Sequence, residues 1–162
     1  MLVLSTGDVL WFVDQALEAM VAIVDELGDD AANARPQVDG TRLPGANSPY
    51  AILTHCLGVM EFWGGSMVAG RTIERDRPAE FRAEGAVVDL VTRVRAARRR
   101  LEDDLAAAED DADLRSAPDP EDAGTPYANK GGVLVHILEE LYQHLGQMEI
   151  TRDVLLGSPG AA

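Results

Sequence analysis

Residues 136–149 read HILEELYQHLGQME, and this stretch decides both the fold class and the place to look for chemistry. Ile137, Leu141, Leu145 and Met148 recur at steps of three and four, the spacing of a helix with one apolar face. Val133 and Leu155 extend the stripe, so the pattern predicts a helix from about Gly132 to Leu156. His136, Glu140 and His144 recur every fourth residue inside the same pattern. Each residue turns the helix by about 100°, so positions four apart are offset by about 40°, and Glu140 and His144 point the same way one turn apart.

Working outward, three more segments carry the helical period. Residues 8–27, DVLWFVDQALEAMVAIVDEL, place Leu10, Val13, Leu17, Met20, Val21, Val24 and Leu27 on one face, with Asp8 positioned to cap the start and Gly28 to end it. A second helix opens at Ser48-Pro49, a capping residue followed by proline at the first helical position, and runs to about Gly70. Its inward stripe is Ile52, His55, Cys56, Val59, Phe62 and Trp63. A third spans roughly Gly85 to Ala108 on Val87, Leu90, Val91, Val94, Ala97, Leu101 and Leu105. Between these lie two long connections, DDAANARPQVDGTRLPGAN and EDDADLRSAPDPEDAGTPYANKGG, and no segment of strand period. The expectation is an all-α four-helix bundle with two long connections, one domain over residues 1–162.

Composition narrows the function classes. Fourteen basic against twenty-eight acidic residues give a net charge of −14, which repels phosphate backbones and anionic membranes, so neither nucleic acid nor membrane is an expected partner. No apolar run approaches the length of about 20 residues that spans a bilayer. The N-terminus lacks a basic region ahead of its apolar residues and does not read as a signal peptide. The single cysteine, Cys56, excludes an internal disulfide and suits a reducing cytoplasm, the expected location. The arginine run RVRAARRRLEDDL reads as a solvated face, with Arg98, Arg99 and Arg100 set against Glu102, Asp103 and Asp104 at i+4. Those pairs oppose the helix dipole, so fraying is expected at this end.

A third ligand for the Glu140–His144 couple would come from another helix, and His55 lies on the inward stripe of the second. Two imidazoles and a carboxylate suit one divalent ion, zinc first and nickel, cobalt or iron on the same geometry, with a coordination position left open. The alternative is packing: a core histidine is often held by hydrogen bonds alone, and a histidine or arginine can neutralise a buried glutamate without metal. The Glu-x-x-His pairs of di-iron bundles and the His-Glu-x-x-His of metalloproteases are both absent, which leaves a mononuclear centre. Cys56 sits about 100° from His55 on the helix and reads as a small apolar residue more readily than as a nucleophile. Trp11, Phe12 and Trp63 are expected in the core or at a subunit contact.

The stretches PGANSPYAILTHCLGVMEFW and HILEELYQHLGQMEITRDVL together resemble the DinB-like superfamily of metal-binding four-helix bundles. They are most similar to its thiol-dependent branch, which includes mycothiol-dependent maleylpyruvate isomerase and related S-transferases. The family's early histidine falls on His55, and its (Glu or His)-x-x-x-His-x-Gly-(Gln or His) segment falls on Glu140, His144, Gly146 and Gln147. The resemblance implies metal ligands His55, Glu140 and His144, and a low-molecular-weight thiol activated at the metal to attack a small electrophile, by transfer or by isomerisation. Thirteen arginines against one lysine fit the high-GC bacteria that use mycothiol, so mycothiol is the expected thiol. His136 is the expected catalytic residue, hydrogen-bonding Glu140 from behind or moving a proton, with pocket lining and direct ligation as alternatives. Arg42, Tyr127, Asn129 and Lys130 are candidates to bind the thiol, Arg152 is a candidate near the site, and a homodimer is plausible by resemblance. A non-catalytic metal- or metabolite-binding bundle and a metal-activated hydrolase are the rival readings.

Overall fold

The computed structural model describes residues 5–108, 113–117 and 119–157. Helix α1 spans Thr6–Asn33, α2 spans Pro49–Val59 and continues as a π-helical segment over Met60–Val68, α3 is a single turn at Arg77–Glu80, α4 spans Val87–Ala107 and α5 spans Lys130–Leu156. The first connection carries a small hairpin, β1 (Gln37–Val38) paired antiparallel with β2 (Thr41–Arg42), which the sequence pattern did not predict. Two 3-10 turns, Pro120–Asp122 and Pro126–Ala128, lie in the second.

The four long helices pack as an all-α bundle: α1 lies against α4 and α5, and α2 with its π-helical extension lies against the same two. The apolar stripes meet at the centre. Met20, Ile52, Leu90, Leu101, Ile137, Leu141 and Met148 are all fully buried, and each such side chain removed from water contributes about 1.5–3 kcal/mol. No helix among the described residues is long and apolar enough to cross a membrane.

Several boundaries differ from the sequence expectation for identifiable reasons. Ser5 caps α1, not Asp8; Asp8 is the third residue of a capping box in which each side chain bonds the other's backbone N–H. Gly28 does not end α1. It takes φ 66° and ψ 177°, kinking the helix before a last turn that reaches Asn33. That turn is fixed from outside: Asn33 exchanges hydrogen bonds with the backbone of Gly85, and Asp29 Oδ1 accepts from Val87 N, capping α4 from another helix.

The arginine run is tied both along its own helix and to neighbouring segments. Arg98 does reach Glu102, but it also grips Asp14 of α1. Arg100 pairs with Glu61, and Asp104 turns inward to take both its bonds from Arg71, each at 2.8 Å. These ties hold the C-terminal half of α4 to its neighbours, and the helix is continuous to Ala107.

Candidate metal centre

His55 sits in the middle of α2, which Ser48 caps by accepting from Ala51 N. The helix is buried on nearly every side, and His55 is 1 % exposed. Glu140 and His144 come from α5, whose start Asn129 caps through Gly132 N. The stripe arithmetic holds: the two side chains lie one turn apart on the face that α5 turns toward α2, with His144 Nε2 3.4 Å from Glu140 Oε2. His55 Nε2 approaches the same oxygen at 3.2 Å. One ligand atom from each of the three residues fits within a span of 4.8 Å.

The far nitrogen of each imidazole is anchored. His55 Nδ1 lies 2.7 Å from Glu80 Oε2 and its Nε2 3.2 Å from Glu140 Oε2, so the ring stands between two carboxylates that only accept, and the shorter contact favours the proton on Nδ1. His144 Nδ1 lies 2.9 Å from the amide oxygen of Gln147, which accepts from it when Nδ1 carries the proton. With the protons on Nδ1, both Nε2 atoms face one carboxylate oxygen, an arrangement that a shared cation would bridge. A cation at the common centre would satisfy both nitrogens and the carboxylate; without one, an imidazole N–H donating to Glu140 holds the same contact.

The donor set fits one divalent ion. A tetrahedral zinc with bonds of about 2.0–2.1 Å holds its ligand atoms about 3.3 Å apart, and the two edges that meet at Glu140 measure 3.2 and 3.4 Å. Burial holds His55 below the ordinary imidazole pKa, with the hydrogen bonds to the Glu80 and Glu140 carboxylates opposing it. A neutral ring is the form a metal requires.

His136 differs from expectation. Its Nε2 stays 4.0 Å from Glu140 Oε1, outside hydrogen-bond range, and its Nδ1 donates instead to the exposed Glu139 at 3.0 Å. The ring lies edge-on between Trp63 and Tyr127, with centroids 4.9 and 4.8 Å away. It is thus part of an aromatic wall beside Glu140. Trp63 belongs to that wall and packs against the core as well, while Trp11 and Phe12 are surface residues grouped edge-to-face with Tyr142.

Of the other candidates, Tyr127 alone is seen against the site. Arg42 lies on the exposed hairpin, Asn129 is committed to capping α5, and Lys130 donates to the Ala108 carbonyl. Arg152 pairs with Asp153 and reaches toward Glu26. Cys56 is fully buried, and burial followed by the Glu140 and Glu80 charges pushes its thiol far above the ordinary range, which removes it as a nucleophile. The groove of about 420 Å³ between α1 and α4, lined by Leu17, Val21, Val91 and Val94, holds none of the three histidines.

Sequence reasoning passed over Glu80 and Arg75. They lie in RDRPAEF, residues 75–81, where Asp76 caps α3 by accepting from Ala79 N and Pro78 stands in the first turn. That cap-then-proline signal was available for the helix. Nothing in it indicates that the turn folds under His55.

The fold and the site define a class: a helical bundle with a mononuclear two-histidine, one-carboxylate constellation between two of its helices. A family model for the DinB superfamily matches residues 13–148, and the chain belongs to that superfamily, whose domains often bind metal. No curated protein and no solved structure matches the chain.

Proposed function

We propose that this protein is a metal-dependent thiol S-transferase or isomerase, in which His55, Glu140 and His144 hold one divalent ion, zinc first, and a low-molecular-weight thiol, mycothiol first, is the cosubstrate. The observation that carries the metal part is the convergence of His55 Nε2 and His144 Nε2 on the Glu140 carboxylate at 3.2 and 3.4 Å, near the edge length of a tetrahedral site, with one ligand atom from each residue inside a span of 4.8 Å. The thiol part rests on the glutamate at position 140 and the likeness of both site helices to the thiol-dependent branch.

A divalent ion bound there supplies a Lewis-acid position that makes a thiol or water more acidic. The protein's own groups then do the following. Glu80 and Gln147 hold the two imidazoles so that the ligand geometry exists before anything binds. His136, with Nδ1 tied to Glu139, keeps Nε2 toward the site and accepts the proton that the thiol loses. Trp63 and Tyr127 form the flat wall against which an apolar electrophile lies.

The test is metal analysis of the purified protein joined to a thiol panel with monochlorobimane or a chlorinated nitrobenzene as electrophile. About one metal per chain and conjugation that is lost in His55→Ala and His144→Ala support the proposal. Bound metal without conjugation by any thiol in the panel sinks the thiol reading, and ester cleavage without added thiol points to hydrolysis instead.

A further inference from the structure

The metal reading accounts for three side chains but not for the carboxylate behind them. Glu80 is largely enclosed, its side chain 11 % exposed, and a carboxylate drawn out of water is costly unless it is bonded. Its partners are specific. Arg75 forks onto it, Nε donating to Oε1 at 2.7 Å and Nη2 to Oε2 at 3.0 Å, while Oε2 also lies 2.7 Å from His55 Nδ1, a nitrogen that Arg75 Nη2 approaches only at 3.4 Å. The backbone leaves room for it: a Cβ at Gly58, one turn after His55 on α2, would stand 2.0 Å from Glu80 Oε1. Phe81, the next residue, stacks on the His55 ring with centroids 4.5 Å apart and planes 27° from parallel. One short turn thus brings a carboxylate to the edge of the imidazole and an aromatic ring to its face.

We propose that Glu80, held by Arg75, is a positioning residue that fixes the orientation and Nδ1–H tautomer of His55 and so aims its Nε2 at the metal position. The inference rests on the metal reading for its consequence, though not for its geometry. His144 receives the same service from Gln147, but that acceptor is neutral. An anionic acceptor on Nδ1 makes Nε2 a stronger donor to a metal, so the two histidines are unequal ligands and His55 is the one whose strength depends on a group from outside the two site helices. The coupling also makes α3 part of the site, since Asp76 caps the turn that carries Glu80 and Phe81.

The experiment uses the full chain in two arms. Nitrogen-15 NMR of the metal-free protein reads the His55 tautomer, and titration with Co²⁺ reads affinity and ligand-field bands. Wild type is expected to show Nδ1–H at His55. Glu80→Gln preserves side-chain volume and the possibility of an oxygen acceptor, so the fold is held and the loss isolates the charge; Glu80→Leu removes the acceptor as well. Both are expected to weaken Co²⁺ by about 10- to 100-fold and shift its bands, Glu80→Leu the more. Should Glu80→Leu fail to fold, Glu80→Gln decides alone. A wild-type His55 protonated on Nε2, or Co²⁺ affinity in folded Glu80→Gln equal to wild type, overturns the proposal. His144→Ala separates the two ideas: it should abolish Co²⁺ binding and leave the His55 tautomer intact. Co²⁺ binding that ignores His144→Ala defeats the metal reading, while the tautomer arm still decides the role of Glu80.

Discussion

Gly58→Ala is a perturbation whose outcome reverses the usual rule. In an ordinary helix interior alanine is more favourable than glycine by about 1 kcal/mol, and Gly58 lies within α2. Here the new Cβ would stand 2.0 Å from Glu80 Oε1 and 2.5 Å from its Cδ. Ordinary contact needs about 3.4 Å or more, so the carboxylate must retreat by more than an ångström. It sits at the end of a flexible chain and can swing, so the cost lies in its partners. A retreat of that size breaks the 2.7 Å bond to His55 Nδ1, a charge-assisted bond whose loss costs about 1.5–3 kcal/mol. Set against the helical gain, the net is a destabilisation of about 0.5–2 kcal/mol, with Co²⁺ affinity lowered about tenfold. Urea unfolding of the metal-free protein and a Co²⁺ titration measure the two effects. A variant more stable than wild type with unchanged affinity would refute the reasoning, because Glu80 would then be free to leave without consequence.

Three further outcomes follow from the same contacts. Arg71→Leu leaves Asp104, whose side chain is 8 % exposed, without its fork, and is expected to lower the urea midpoint by the equivalent of about 1–3 kcal/mol. Because burial holds His55 below its ordinary 6.5, the unfolded chain takes up a proton there that the folded chain refuses; metal-free stability should be full above pH 6.5 and fall as pH drops through that value, a trend that His55→Gln should flatten in urea titrations at several pH values. Cys56→Ala is expected to leave thiol conjugation unchanged, since its sulfur is enclosed; a large loss of turnover in a stably folded variant would contradict its exclusion.

The long helices were legible because their apolar residues repeat with the period of the structure. Every residue of the α4 stripe from Val87 to Leu105 is buried as the spacing requires, and Ser48-Pro49 marks the start of α2. The site triad was legible for the same reason, since His55, Glu140 and His144 fall on predicted faces. What escaped depends on contacts between distant segments. The π-helical turn holds Gly64 and Gly65, where added Cβ atoms would meet Leu101 and Arg71 at 2.4 and 2.3 Å, and no local pattern announces that crowding. Glu80 escaped because its meaning comes from a histidine 25 positions away. Asp104 need not have escaped: it lies between Leu101 and Leu105 on the buried face, where an acidic residue calls for a cationic partner from another element.

The central claim is that one ion sits between α2 and α5. An anomalous-difference map from zinc-soaked crystals tests it most directly. The account predicts a single strong peak about 2.0–2.1 Å from His55 Nε2, His144 Nε2 and a Glu140 oxygen. Peaks confined to surface carboxylates, with His55, Glu140 and His144 in their present contacts and no density between them, would contradict it.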